Sequence, residues 1–154
     1  MKIGIADTMF ARVNMGGITA ETIRQNDKEI EIERYVVPGF KDLPVACKKL
    51  IEEYNCDIVV ALAWVGKEDI DEVCAHEANQ GLINAELMTN KHILKIFLHE
   101  KEAVDDEQKQ KEICIDRVRK HTLNALALVK GKTALLENAG IGKRQGYDDA
   151  GGIQ

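Results

Sequence analysis

The run Asp57-Ile58-Val59-Val60-Ala61-Leu62-Ala63-Trp64-Val65 constrains this chain more than any other segment. It is almost wholly apolar, so a strand built from it has no polar face to turn to water. Such a strand belongs in the middle of a parallel sheet that helices cover on both sides. Gly66 stops it. Three further strands complete the sheet. Lys2–Ala6 is a short apolar run that ends at Asp7, as a buried first strand would. Glu29–Val37 alternates acidic and apolar residues, which suits a second strand near the sheet edge, and His92–Leu98 reads as a fourth strand.

Helix-patterned segments separate these strands. Arg12–Asn26 has helical spacing at Val13, Ile18 and Ile23, with Gly16-Gly17 weakening its start. Asp42–Tyr54 carries the stripe Leu43, Ala46, Cys47, Leu50 and Ile51. Asp69–Leu87 reads as a long helix with Ile70, Val73, Cys74, Glu77, Ala78 and Leu82 at helical spacing. Asp105–Val129 is a second long helix ending at Gly131, and Lys132–Asn138 extends it as a short terminal helix. Strands alternating with helices imply a parallel sheet with helices on both faces. The expected fold is therefore a flavodoxin-like, three-layer α/β/α sandwich whose four-stranded parallel sheet has the order 2-1-3-4. One domain spans 1–139. Residues 140–154, rich in Gly, Asp and Lys/Arg, read as a mobile, flexible tail.

Composition narrows the function. A length of 154 residues suits one domain with a sizeable core, and 45% hydrophobic with 31% charged residues is a soluble globular balance. The net charge of −5 argues against general nucleic-acid binding. No segment approaches the length of a membrane span, and the N-terminus does not resemble a signal peptide, so a cytoplasmic protein is expected. Cys47, Cys56 and Cys74 sit in apolar patterns and read as reduced core thiols, whereas Cys114 lies in a charged helix.

In open parallel sheets, ligands bind beyond the carboxyl ends of the strands, where the strand order reverses. That rule selects Asp7–Phe10, Pro38–Asp42, Ala63–Asp69 and His99–Lys101. These loops hold Phe10, Phe40, Trp64, Asp42, Lys67, Glu68, His99 and Glu100. Of three phenylalanines and one tryptophan in the chain, three of the four fall here, and flat aromatic ligands gain from stacking on such rings. The same rings would equally serve to pack the sheet end. Both prolines lie in Val37-Pro38-Gly39-Phe40-Lys41-Asp42-Leu43-Pro44. Pro38 and Gly39 break the strand, Asp42 can cap the coming helix, and Pro44 is tolerated in its first turn. The result is a tight loop, or a mouth of free amides able to take an oxygen-rich ligand.

Other motifs fail on spacing. There is no G-x-S-x-G, and no cysteine lies in a loop at a strand end. His76-Glu77 does not complete H-E-x-x-H, because position 80 is Gln, and His76 reads as a plain helix residue. Gly140-Ile141-Gly142-Lys143 lacks the spacing of a phosphate loop. Arg117, Arg119 and Lys120 form a basic cluster that is either solvated or a clamp for a carbonyl-rich ligand, including one on a neighbouring subunit. No ligand cluster for a metal has convincing spacing, though a divalent cation such as Mg2+ could assist.

The loops, taken in order, resemble one family. Ala11-Arg12-Val13-Asn14 resembles the A-R-F-N motif of 6,7-dimethyl-8-ribityllumazine synthases, and Val37–Ala46 resembles their V-P-G-A-F-E-L-P-V-A. Asp57–Gly66, followed by Glu77-Ala78-Asn79-Gln80-Gly81-Leu82, is similar to their buried strand, glycine and E-A-A-K-G-L helix. The departures point within the family. The histidine of G-x-T-x-H is replaced by Ile70, the phenylalanines of A-R-F-N and G-A-F-E by Val13 and Lys41, and small residues near the phosphate site by Lys67 and Glu68. Isoleucine transfers no proton. The chain resembles the archaeal-type riboflavin synthases of this family, through Lys91-His92-Ile93, His99-Glu100 and the Gly-Lys-Arg-Gln-Gly tail.

That resemblance implies a transferase of riboflavin biosynthesis. Two molecules of 6,7-dimethyl-8-ribityllumazine dismutate, one giving a four-carbon unit to the other, with no redox cofactor. It further implies a homopentamer with sites between subunits, walled by Phe10, Phe40, Ala63 and Trp64. Gly39, Lys41 and Asp42 would hold ribityl hydroxyls, beside Lys67, while Arg117 and Arg119 would reach the pyrimidine. His99 is the expected proton-transfer group, with Glu100 or Glu68 orienting it. A lumazine synthase with altered proton transfer and a non-catalytic flavin- or pterin-binding protein are the alternatives. A flavodoxin-like electron carrier is set aside because the loop after the first strand has no Ser/Thr-rich phosphate cradle.

Overall fold

Alternating hydrophobic runs and amphipathic segments become four strands and four helices in the computed structural model, which describes residues 1–154. The strands are Lys2–Thr8 (β1), Glu31–Val37 (β2), Ile58–Val65 (β3) and Ile93–His99 (β4). The helices are Met15–Asn26 (α1), Leu43–Glu52 (α2), Asp69–Thr89 (α3) and Glu107–Val129 (α4). All strands run parallel in the order β2-β1-β3-β4, as the alternation predicts. Every residue of β3 is buried, whereas β2 exposes Glu31, Arg34 and Val36 at its edge.

Side chains alternate across the pleat, so each strand feeds two cores. Val59, Ala63 and Phe97 face α2 and α3, where Leu43, Cys47, Leu50 and Leu82 meet them. Ile3, Ile5, Leu62 and Trp64 face α1 and α4, against Ile23 and Val118. The buried face of α2 is the stripe Leu43, Ala46, Cys47, Leu50 and Ile51 that the spacing predicts. Helix α1 starts later than its pattern suggests, because Asn14 caps it by accepting the Gly17 N–H at 3.0 Å. Gly16 is needed for close approach: a Cβ there would meet the Asp7 carboxylate at 2.6 Å and the Arg34 guanidinium at 2.7 Å.

Several expectations change. Helix α3 buries Ala75, Ala78, Leu82 and Ala85, so Ile70 and Val73 point to solvent rather than into the core. Small residues there let the helix lie close to the sheet and to Pro44, whose ring a Cβ on Gly81 would meet at 2.7 Å. Cys114 is buried despite its charged neighbours, and burial pushes its thiol up to about 12. Cys74 is the half-exposed cysteine. Lys132–Asn138 is mostly turn, with one 3-10 turn at Leu136–Asn138. The tail lies back against α4: Gly146 is buried, and the Tyr147 hydroxyl donates to Glu102 at 2.6 Å. One aromatic ring anchors it, a signal too sparse to show in composition.

Candidate active site

Four chain segments meet at the carboxyl edge of the sheet. Beyond β1, the Met9 N–H donates to the Val37 carbonyl at 2.9 Å, extending the ladder with β2 and leaving Phe10 53% exposed. Beyond β2, Phe40–Asp42 forms a 3-10 turn that leads directly into α2. Asp42 caps this turn rather than the helix, its carboxylate accepting the Gly39 N–H at 3.2 Å. Lys41 pairs with Glu77 of α3 at 3.1 Å, and the half-buried Phe40 packs on Phe97 with ring centroids 6.2 Å apart. Beyond β3, Gly66 is buried, and the Glu68 N–H donates to Asp71 at 3.1 Å, which starts α3.

The sheet divides the expected site residues between its faces. On the α3 side, β4 ends at His99, whose Nδ1 lies 2.8 and 3.0 Å from the two oxygens of Glu72. Both side chains are partly exposed. Glu72, not Glu100 or Glu68, is therefore the carboxylate that orients this imidazole. A carboxylate on one ring nitrogen fixes the tautomer and leaves the other nitrogen for proton transfer. Nothing in the sequence joins the two residues. Glu72 is on a helix 27 positions away, among many acidic residues. Glu68 is exposed and caps α3.

On the opposite side, Trp64 is only 2% exposed and its Nε1–H donates to Glu100 at 2.8 Å. With so little ring surface, Trp64 packs the core and orients Glu100 rather than stacking on a ligand. Ala63 is likewise fully buried. Glu100 and Lys67 share a polar cleft of about 410 Å³ with Arg12, Asp105, Glu107 and Gln110. Lys67 pairs with Asp105 at 3.3 Å and Arg12 with Glu107 at 2.6 Å, so both cations of the cleft are paired and Glu100 is left as its excess carboxylate.

Arg117 does not serve as a free clamp. It is 5% exposed and donates to the Phe97 carbonyl at 2.8 Å and to Glu102 at 2.6 and 2.5 Å, with the Tyr147 ring 4.8 Å from its guanidinium carbon. Burial alone would raise the Glu102 carboxyl, but hydrogen bonds from Arg117, Tyr147 and the His99 N–H hold it down at about 2. Arg119 is exposed and remains available to a ligand. A separate cavity of about 790 Å³ lies between the start of β4, α4 and the tail, where Leu94, Lys95, His121, Asn124, Arg144 and Gln145 line it. Burial, and then the Arg117 charge, push His121 down to about 4. No three His, Cys, Asp or Glu side chains gather as a metal site.

Comparisons with known proteins agree with this fold. The family model described as 6,7-dimethyl-8-ribityllumazine synthase matches residues 1–133. The chain is 49% identical to a riboflavin synthase of Methanothermobacter thermautotrophicus, over 98% of both chains. It is 48% identical to one of Archaeoglobus fulgidus, over 99% of both. A 6,7-dimethyl-8-ribityllumazine synthase of Methanocaldococcus jannaschii is 36% identical over 62 residues, 39% of this chain and 44% of that one. With the parallel sheet, the proline-glycine turn and these matches in agreement, the chain belongs to the 6,7-dimethyl-8-ribityllumazine synthase family.

Proposed function

We propose that this protein is a riboflavin synthase, a transferase that dismutates two molecules of 6,7-dimethyl-8-ribityllumazine into riboflavin and 5-amino-6-ribitylaminopyrimidinedione. The carrying observation is the pattern of identity: 48–49% over nearly the whole length of two riboflavin synthases, against a match to under half of a lumazine synthase. The site supports the same reading. Ile70, where lumazine synthases carry a histidine, is 64% exposed at the start of α3 and has no proton to give. His99, paired with Glu72, is the group able to move one.

The chemistry asks little of the protein beyond placement. Methyl protons beside the ring imine of the lumazine are acidic, and the two substrates act as donor and acceptor, so no redox cofactor enters. Holding two rings in register supplies about 7–11 kcal/mol, and general acid–base help about 10²–10⁴-fold. Phe10 and Phe40 wall the heterocycles, and Asp42 with Lys41 receives ribityl hydroxyls, the Gly39 N–H being taken by the Asp42 carboxylate. Glu100 and Lys67 face the polar cleft, where Trp64 holds Glu100, while Ala63 packs on the opposite, α2/α3 face of the sheet. His99 takes and returns the methyl proton. A divalent cation such as Mg2+ would be an accessory at most.

The active molecule is a homopentamer with the site shared between neighbours, and Arg119 reaches across that boundary. Exposed apolar residues on α3, Val73, Leu87 and Met88 among them, support a covered face, and β4 is an open sheet edge. It works in the cytoplasm, where four unpaired cysteines stay reduced. No helix is long and apolar enough to cross a membrane. Incubation with the lumazine alone tests the activity. Riboflavin fluorescence should appear without a sugar phosphate. Tight binding with no turnover would mark a carrier instead, and a requirement for a four-carbon phosphate would mark a lumazine synthase.

A further inference from the structure

Tyr147 sits far along the tail, yet its hydroxyl reaches the end of β4. The Val59 N–H donates to the His92 carbonyl at 3.1 Å, so the even-numbered backbone groups of β4 face β3. The odd-numbered groups face outward from an edge strand, where unpaired donors and acceptors need other partners. Side chains supply four of them. Glu86 accepts the Ile93 N–H at 2.7 Å, and the Lys95 ammonium donates to the Ile93 carbonyl at 2.9 Å. Arg117 donates to the Phe97 carbonyl at 2.8 Å, and Glu102 accepts the His99 N–H at 3.0 Å.

The last two of these partners are one ion pair. Arg117 grips Glu102 through two nitrogens, so a single fork holds the backbone at Phe97 and at His99. Tyr147 closes that fork. Its hydroxyl donates to Glu102 Oε1 at 2.6 Å, and its ring stands 4.8 Å from the Arg117 guanidinium carbon. Both charged groups of the fork are largely buried, and the half-exposed Tyr147 lies between them and solvent.

We propose that Tyr147 is a positioning residue for His99, acting through Glu102 and Arg117, so that the C-terminal tail sets where the imidazole stands. This rests on the reading of His99 as the proton-transfer group. Glu72 fixes the ring of that histidine, and the Tyr147 fork fixes its backbone. Loss of the phenol hydroxyl leaves the Glu102 carboxylate held by Arg117 alone and loosens its hold on the His99 N–H, while the remaining ring still covers Arg117. Small misplacements of a reacting group are costly in turnover.

A double-mutant cycle on the full chain tests this, with Tyr147→Phe, His99→Ala and the pair assayed on the lumazine. Tyr147→Phe should lower kcat about three- to tenfold, with KM changed by less than about twofold. Its melting temperature should stay within about 2 °C. In the His99→Ala background the same change should cost nothing further, because the route to the chemistry is already gone. Unchanged kcat in Tyr147→Phe, an equal loss in both backgrounds, or a change in KM alone would each overturn the proposal. If His99→Ala keeps full kcat, the assignment of His99 itself fails and the inference falls with it. If His99→Ala loses turnover while Tyr147→Phe keeps it, the inference alone fails.

Discussion

With Nδ1 held 2.8 Å from Glu72, the His99 ring has one nitrogen left for substrate. Replacing His99 with Ala should lower kcat about 10²–10⁴-fold with folding intact by circular dichroism. Glu72→Gln keeps an acceptor but loses the charge, and should lower kcat about tenfold in the same assay. Equal activity of Glu72→Gln and the parent would leave the ring pairing without a catalytic part. His99 was legible in the sequence because it follows a buried apolar run, where strand ends carry function. Glu72 was not, since one glutamate on an acidic helix looks like another. Trp64 shows the opposite failure. Its rarity and its place near a strand end suggested a stacking platform, but the pleat sends its side chain into the α1/α4 core.

At the level of elements, the tail and the end of β4 are joined through charge, and pH acts on that junction. Glu102 is held down at about 2 in the folded chain against 4.5 in an unfolded one. Its contribution to stability is full above pH 4.5 and is lost as pH falls toward 2. His121 is pushed down to about 4 from 6.5, so the unfolded chain takes up its proton first. Stability therefore also falls as pH drops from 6.5 to 4. Thermal melts across that range should show a steadily falling midpoint, and His121→Gln should make the decline between pH 6.5 and 4 shallower. An identical slope in that variant would rule His121 out as the cause. The strands, the strand order and the buried face of α2 were readable because periodicity and turn residues agree there. The docking of the tail was not, because it depends on Gly146, Tyr147 and two partners distant in sequence.

For the whole molecule, the exposed apolar residues of α3 call for a neighbour. On the proposed homopentamer, Leu87→Glu should shift the protein to smaller species in sedimentation and lower turnover at the proposed shared site. A parent protein that sediments as a monomer and turns over would refute the shared site. The exposure of Ile70 and Val73 belongs to the same question. Their spacing suggested a core stripe, and a sequence pattern does not distinguish burial within a chain from burial between chains. One feature offers a direct readout of these states. The chain has a single tryptophan, Trp64, sealed in the core and hydrogen-bonded to Glu100 beside the polar cleft. Its emission should therefore be blue-shifted, and a shift on adding the lumazine is the expected sign that a ligand has disturbed that carboxylate, read with no dye attached.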